Sequence, residues 1–92
     1  MNSFKDLLIN GIRKLKNDSI QIQKFELAHH IRDIERSISN NNLTSTEIKA
    51  VIQQHLGNPF LNERPEIVRK IIHIFLYASR KGKLKRILGY ER

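Results

Sequence analysis

The chain has 92 residues and no cysteine, with 17 Lys/Arg against 9 Asp/Glu. That length suits one small domain, residues 1–92, which must hold itself by apolar burial because disulfides and thiolate metal sites are excluded. The lack of thiols points to a reducing, cytoplasmic setting, and no stretch approaches the ~20 apolar residues of a membrane span. "MNSFKDLLINGIRKLK" also lacks the apolar run and small-residue cleavage site of a secretory signal.

The net charge of +8 is unevenly placed. Residues 1–63 carry 8 Lys/Arg and 7 Asp/Glu, whereas the basic C-terminal third, residues 64–92, carries 9 and 2. A positive field of that density favours a polyanion or an acidic protein surface, and it also keeps a small domain soluble.

No run alternates, and the apolar spacing predicts helices throughout. In the first helix Phe4, Leu7, Leu8, Ile12 and Leu15 share one stripe, with Lys5, Arg13 and Lys16 away from it. Ser3 with Asp6 resembles a capping box. Gly11 lies in the stripe, where a missing side chain allows close helix contact or marks a kink. "NDS" at 17–19 breaks the pattern. Asp18 and Gln21 are then expected to cap a second helix running to about Ser39, with Ile20, Leu27, Ile31, Ile34 and Ile38 on its apolar stripe.

After the loop "SNNN", Thr44 and Glu47 form a capping box, Leu43 and Ile48 a hydrophobic staple, and Gly57 stops the third helix before Pro59. Its buried face is expected to be Ile48, Val51, Ile52 and Leu56. Pro65 suits the first turn of a fourth helix running to Gly82. Ile67, Val68, Ile71, Ile72, Ile74, Phe75, Leu76 and Ala78 cover more than half of its circumference, which predicts the central helix. "KLKRIL" adds a short terminal helix with Leu84, Ile87 and Leu88 tucking back. The expected fold is all-α: a bundle of four main helices plus a short C-terminal one.

Phe25 stands apart from the second stripe, among Glu26, His29 and Arg32. Two placements fit it: packing with Ile22 against the first helix, or display at a helix–helix contact outside the principal core.

Phe25-Glu26, Ala28 and Ile31-Arg32-Asp33 give residues 19–38, "SIQIQKFELAHHIRDIERSI", a resemblance to the UVR motif. This is the short helical hairpin of the UvrB and UvrC repair proteins, the McsA adaptor and the middle domain of ClpC-type chaperones. Gln21, Gln23 and Glu35 look most like the ClpC version, while His29 stands where the family usually has a second small residue. The resemblance implies a protein–protein contact module without catalysis of its own, and a partner of chaperone or repair type. Its contact residues here would be Phe25, Glu26, His29, Arg32 and Asp33. Such a contact would serve a different protein or a second copy across a dimer. "LTSTEIKAVIQQHL" followed by "IFLYASRKGKLKRIL" is similar to the second half of bacterial death-like, effector-associated domains, which are likewise helical adaptors.

On the fourth helix the arc left by the apolar residues holds Arg69, Lys70, His73, Tyr77, Arg80 and Lys81, and Lys83, Lys85 and Arg86 continue the charge. Cations interleaved with flat rings suit a phosphate backbone and exposed bases, or an acidic protein. No base-reading motif or glycine-rich phosphate loop accompanies them, so any nucleic-acid binding is expected to be electrostatic.

His29 and His30 diverge by about 100° on a helix and cannot share a metal. Glu26 with His30, or His29 with Asp33, offers two ligands and reads as a surface pair. No cysteine nucleophile, triad or cofactor motif is present. The reading is therefore a non-enzymatic interaction domain without metal or cofactor, with a small basic nucleic-acid-binding protein as the alternative.

Overall fold

Serine, threonine and asparagine caps set the starts of three helices. The computed structural model describes the backbone of residues 3–91 and the side chains of residues 3–81. Among them five helices and no strand are found: α1 (Phe4–Gln21), α2 (Phe25–Ser39), α3 (Ser45–Leu56), α4 (Pro59–Asn62) and α5 (Pro65–Glu91). The Ser3 hydroxyl accepts the Asp6 backbone N–H at 3.2 Å and starts α1. Thr44 and Glu47 form the expected reciprocal box on α3, each side chain accepting the other's backbone N–H. Asn58 Oδ1 accepts from the Phe60 N–H at 2.8 Å and opens α4, with Pro59 in its first turn.

The break between α1 and α2 lies later in the chain than the sequence predicts. Helix α1 runs straight through "NDS" and ends at Gln21, so residues 19–38 hold a turn rather than one helix. The Lys24 N–H donates to the Ser19 carbonyl at 2.9 Å and the Gln23 N–H to the Ile20 carbonyl at 2.9 Å. That pair of bonds is a Schellman closure. Its left-handed position is taken by Gln23, at φ 63°, where glycine is the usual occupant. No Gly or Pro announces the turn, and Asp18 and Gln21 are the end of α1 instead of a cap for α2. Ile20 belongs to α1 and is exposed, off the α2 stripe.

The three-residue connection makes α1 and α2 an antiparallel hairpin. Lys5 Nζ donates to the Asn41 carbonyl at its far end. Leu8, Ile12 and Leu15 of α1 join Leu27, Ile31, Ile34 and Ile38 of α2 in one core cluster. Ile48 and Ile52 of α3, Leu61 of α4, and Ile67, Ile71 and Ala78 of α5 complete it. Each fully buried aliphatic side chain contributes about 1.5–3 kcal/mol. Val51 and Leu56, expected to be buried on α3, are half-buried.

Helix α1, not α5, is the central element, with its most extensive packing on α2 and then α5. Gly11 permits the second contact: a Cβ there would stand 2.5 Å from Ile74 Cγ2. Beside it Phe4 and Phe75 meet edge to face, with ring centroids 5.5 Å apart. Helix α5 has more apolar residues than its neighbours cover, so Ile72 and Leu76 are exposed. It also continues through Gly82 to Glu91, because one helical glycine costs only about 1 kcal/mol. The short fifth helix is thus α4, between α3 and α5. The side chains of Leu84, Ile87 and Leu88 lie outside the described residues.

Gln23→Gly distinguishes this hairpin from a continuous helix. Relief of the left-handed backbone should leave stability unchanged or raise it by up to about 1 kcal/mol. A helix running through residue 23 would instead lose about 1 kcal/mol in the same denaturant melt.

Candidate functional site

The hairpin tip is the first candidate. Helix α2 faces the core with Leu27, Ile31, Ile34 and Ile38, which places Phe25, His29, Arg32 and Arg36 on the opposite side at about 100° per residue. Phe25 is the first residue of α2 and is 62% exposed. Ile22, in the turn, is 63% exposed, and Ile20 joins them. The tip therefore displays three large apolar side chains within six positions. Ile20 and Ile22 are absent from the expected contact set, because the turn that exposes them carries no glycine or proline signal.

Polar residues frame the ring as expected. Glu26 and His29 are exposed, and Arg32 and Asp33 are half-buried. Arg32 Nη2 and His29 Nδ1 lie 2.8 Å apart. Arginine can only donate, so Nδ1 accepts and the ring proton sits on Nε2, 3.7 Å from Asp33 Oδ2. The Arg32–His29 contact is within hydrogen-bond distance, whereas the His29–Asp33 pair is looser and exposed. His30 turns the other way and stacks on Phe60 at 4.4 Å, and Arg64 covers the other ring face at 3.7 Å. That stack joins α2 to α4.

The second candidate is the outer face of α5. Arg69, Lys70, His73, Tyr77, Arg80 and Lys81 are all exposed, as the helical spacing predicts. Lys81 Nζ lies 5.7 Å from the Tyr77 ring centroid. Ile72 and Leu76, read from sequence as core, belong to this face. Lys83, Lys85 and Arg86 lie outside the residues whose side chains are described.

The hairpin is braced by an ion triad that the sequence pattern did not reveal. Glu35 is buried between α1 and α2, accepting from Arg13 Nε and Lys16 Nζ, each at 2.8 Å. Burial pushes its pKa up, but hydrogen bonds from Lys16 and Arg13, together with their charges, outweigh burial and hold it below its ordinary value.

An open recess of about 710 Å³ lies between α2 and α3, lined by Ser37, Asn41, Leu43, Val51 and His55 among others. Ser37 Oγ donates to the Asp33 carbonyl at 2.8 Å and lies 3.2 Å from His55 Nε2. The serine proton is therefore committed to the backbone, and the imidazole donates to the hydroxyl rather than activating it. Burial pushes the His55 pKa down; Asp33 opposes this and His30 adds to it. Among the described residues no group of three His, Asp or Glu side chains is placed to hold a metal. None of the helices searched is long and apolar enough to cross a membrane.

Both lowered pKa values make stability fall in acid. His55 binds a proton more readily unfolded, so stability is lost as pH drops below about 6.5 and through the folded value. Glu35 behaves likewise below about 4.3, and Glu47, held low by hydrogen bonds from Thr44, adds to that limb. A pH series of denaturant melts should show both steps, the first removed by His55→Gln and the second reduced by Glu35→Gln. At neutral pH Glu35→Gln should cost about 1.5–3 kcal/mol, towards the lower end because Arg13 is half-exposed. An unaltered acid profile in both variants would contradict these assignments.

Compared with family models, curated proteins and solved structures, the chain matches none, and its functional reading rests on the two exposed faces described here.

Proposed function

We propose that this chain is a non-enzymatic interaction domain that docks a partner protein through exposed helical side chains, with the α1–α2 tip as its principal contact. One observation carries the reading: Phe25 stands 62% exposed next to an equally exposed Ile22, on a fold whose core closes without either. An aromatic ring in water gains nothing from its position, and a covering surface that dehydrates it gains its full apolar area. Glu26, His29, Arg32 and Asp33 supply the polar rim typical of such hot spots. The UVR resemblance of residues 19–38 supports the same tip and suggests a chaperone- or repair-type partner. The cysteine-free composition suits a reducing, cytoplasmic setting. The nucleic-acid alternative draws on the exposed cations of α5 but leaves Phe25, Ile22, Ile72 and Leu76 without a role.

Phe25→Ala and Leu27→Ala separate docking from folding. Phe25→Ala should cost less than about 1 kcal/mol of monomer stability while weakening capture of a partner, or self-association, by about 2 kcal/mol or more. Leu27→Ala, on the buried face, should destabilise the fold by about 2–5 kcal/mol and leave binding by the folded fraction intact. The measurements are denaturant melts paired with capture from nuclease-treated lysate and sedimentation of the pure protein. Equal unfolding by both variants, or capture indifferent to Phe25→Ala, would remove the tip from consideration.

A further inference from the structure

The outer face of α5 carries two kinds of side chain that no solvent-exposed helix needs together. Ile72 is 40% exposed and Leu76 49%, one turn apart, with Tyr77 beside them. Residues 69–81 contain Arg69, Lys70, Arg80 and Lys81 and no carboxylate. No salt bridge engages these cations among the described residues. Ile67, Ile71 and Ala78 define the buried side. At about 100° per residue, Arg69, Leu76 and Arg80 then project most directly away from the core. Ile72 lies to one side of that line, and His73, Tyr77 and Lys81 lie to the other.

We infer that this face is a docking surface for an acidic amphipathic helix of another protein. Charge selects the partner. A second copy of the chain would set cations against cations, which opposes self-pairing through this face. A helix laid alongside α5 can rest its apolar ridge on Ile72 and Leu76 and reach over with Asp or Glu side chains to Arg69 and Arg80. A phosphate backbone would satisfy the cations but leave the aliphatic pair uncovered. An anionic bilayer would find only two aliphatic side chains here, little of the broad apolar face that an interfacial helix inserts. This surface is separate from the Phe25 tip, and its test leaves the tip intact.

The test uses the full chain and three probes. They are a synthetic acidic helix of roughly 20 residues with Leu at i, i+3, i+4 and i+7 and Glu elsewhere, a single-stranded oligonucleotide, and phosphatidylserine vesicles. A scrambled peptide of the same composition is the control. Fluorescence anisotropy should show the amphipathic peptide binding at least about tenfold more tightly than its scramble. Ile72→Ala/Leu76→Ala should abolish that preference while leaving residual oligonucleotide retention unchanged. Arg69→Glu/Arg80→Glu should weaken the peptide and the oligonucleotide together. Helical circular dichroism should match wild type in both double variants, and Ile72→Ala/Leu76→Ala, at positions 40% and 49% exposed, should lower the melt only modestly and leave the domain folded at the assay temperature. Equal affinity for peptide and scramble, or peptide binding indifferent to the aliphatic double variant, overturns the inference. So does vesicle binding that depends on Ile72 and Leu76 and exceeds binding of the peptide.

Discussion

Helix α1 meets two neighbours at once, and the meeting with α5 depends on a single missing side chain. Leu8, Ile12 and Leu15 feed the common core, and Gly11 gives way to Ile74 where any Cβ would collide with it. Without that gap α5 would stand off from α1 and the Phe4–Phe75 contact beside it would open. The α2 side is fixed differently. Its apolar pairing is supplemented by Glu35, whose two cationic partners both come from α1. Removing one partner of a buried charge is costlier than never having built the group, so breaking this triad costs more than its net contribution to stability.

A core organised around α1 finishes early. By the time α2, α3, α4 and α5 have each placed their buried residues, Phe25 and Ile22 at the tip and Ile72 and Leu76 on α5 are left 40–63% exposed among the described residues. Scattered exposed aliphatic residues are ordinary on a protein surface. These are grouped, and each group adjoins side chains with charge or hydrogen-bonding capacity. Their common physical property is that water is a poor partner for them and a second protein surface a better one. The two groups differ in electrostatics: the tip mixes acidic and basic neighbours, while the α5 face from residue 69 to 81 is cationic only.

Much of the fold is legible in the sequence where local chemistry decides. The Thr44–Glu47 box, the Ser3 cap, and the buried Leu8, Ile12 and Leu15 of α1 and Leu27, Ile31, Ile34 and Ile38 of α2 follow from spacing alone, whereas Ile20 does not join them. What was hidden depended on tertiary context. Gln23 adopts a left-handed backbone that its residue type does not advertise, so the hairpin turn reads as helix. Gly82 looks like a stop but lies within α5. Glu35 resembles any surface carboxylate until Arg13 and Lys16 arrive from another helix. The cationic arc of α5 was readable because charge seeks solvent. The aliphatic half of that face was not, because an apolar residue on a crowded helix looks like core until the number of available neighbours is known.

In the folded, isolated domain these apolar groups face water. Methyl-labelled protein titrated with a soluble paramagnetic agent tests this directly, by comparing relaxation of the Ile20, Ile22, Ile72 and Leu76 methyls with those of Ile12, Ile31 and Ile71. Strong relaxation enhancement is expected at the first four and protection at the last three, unchanged on dilution. Protection of the first four at every concentration would place them in a core and contradict that exposure.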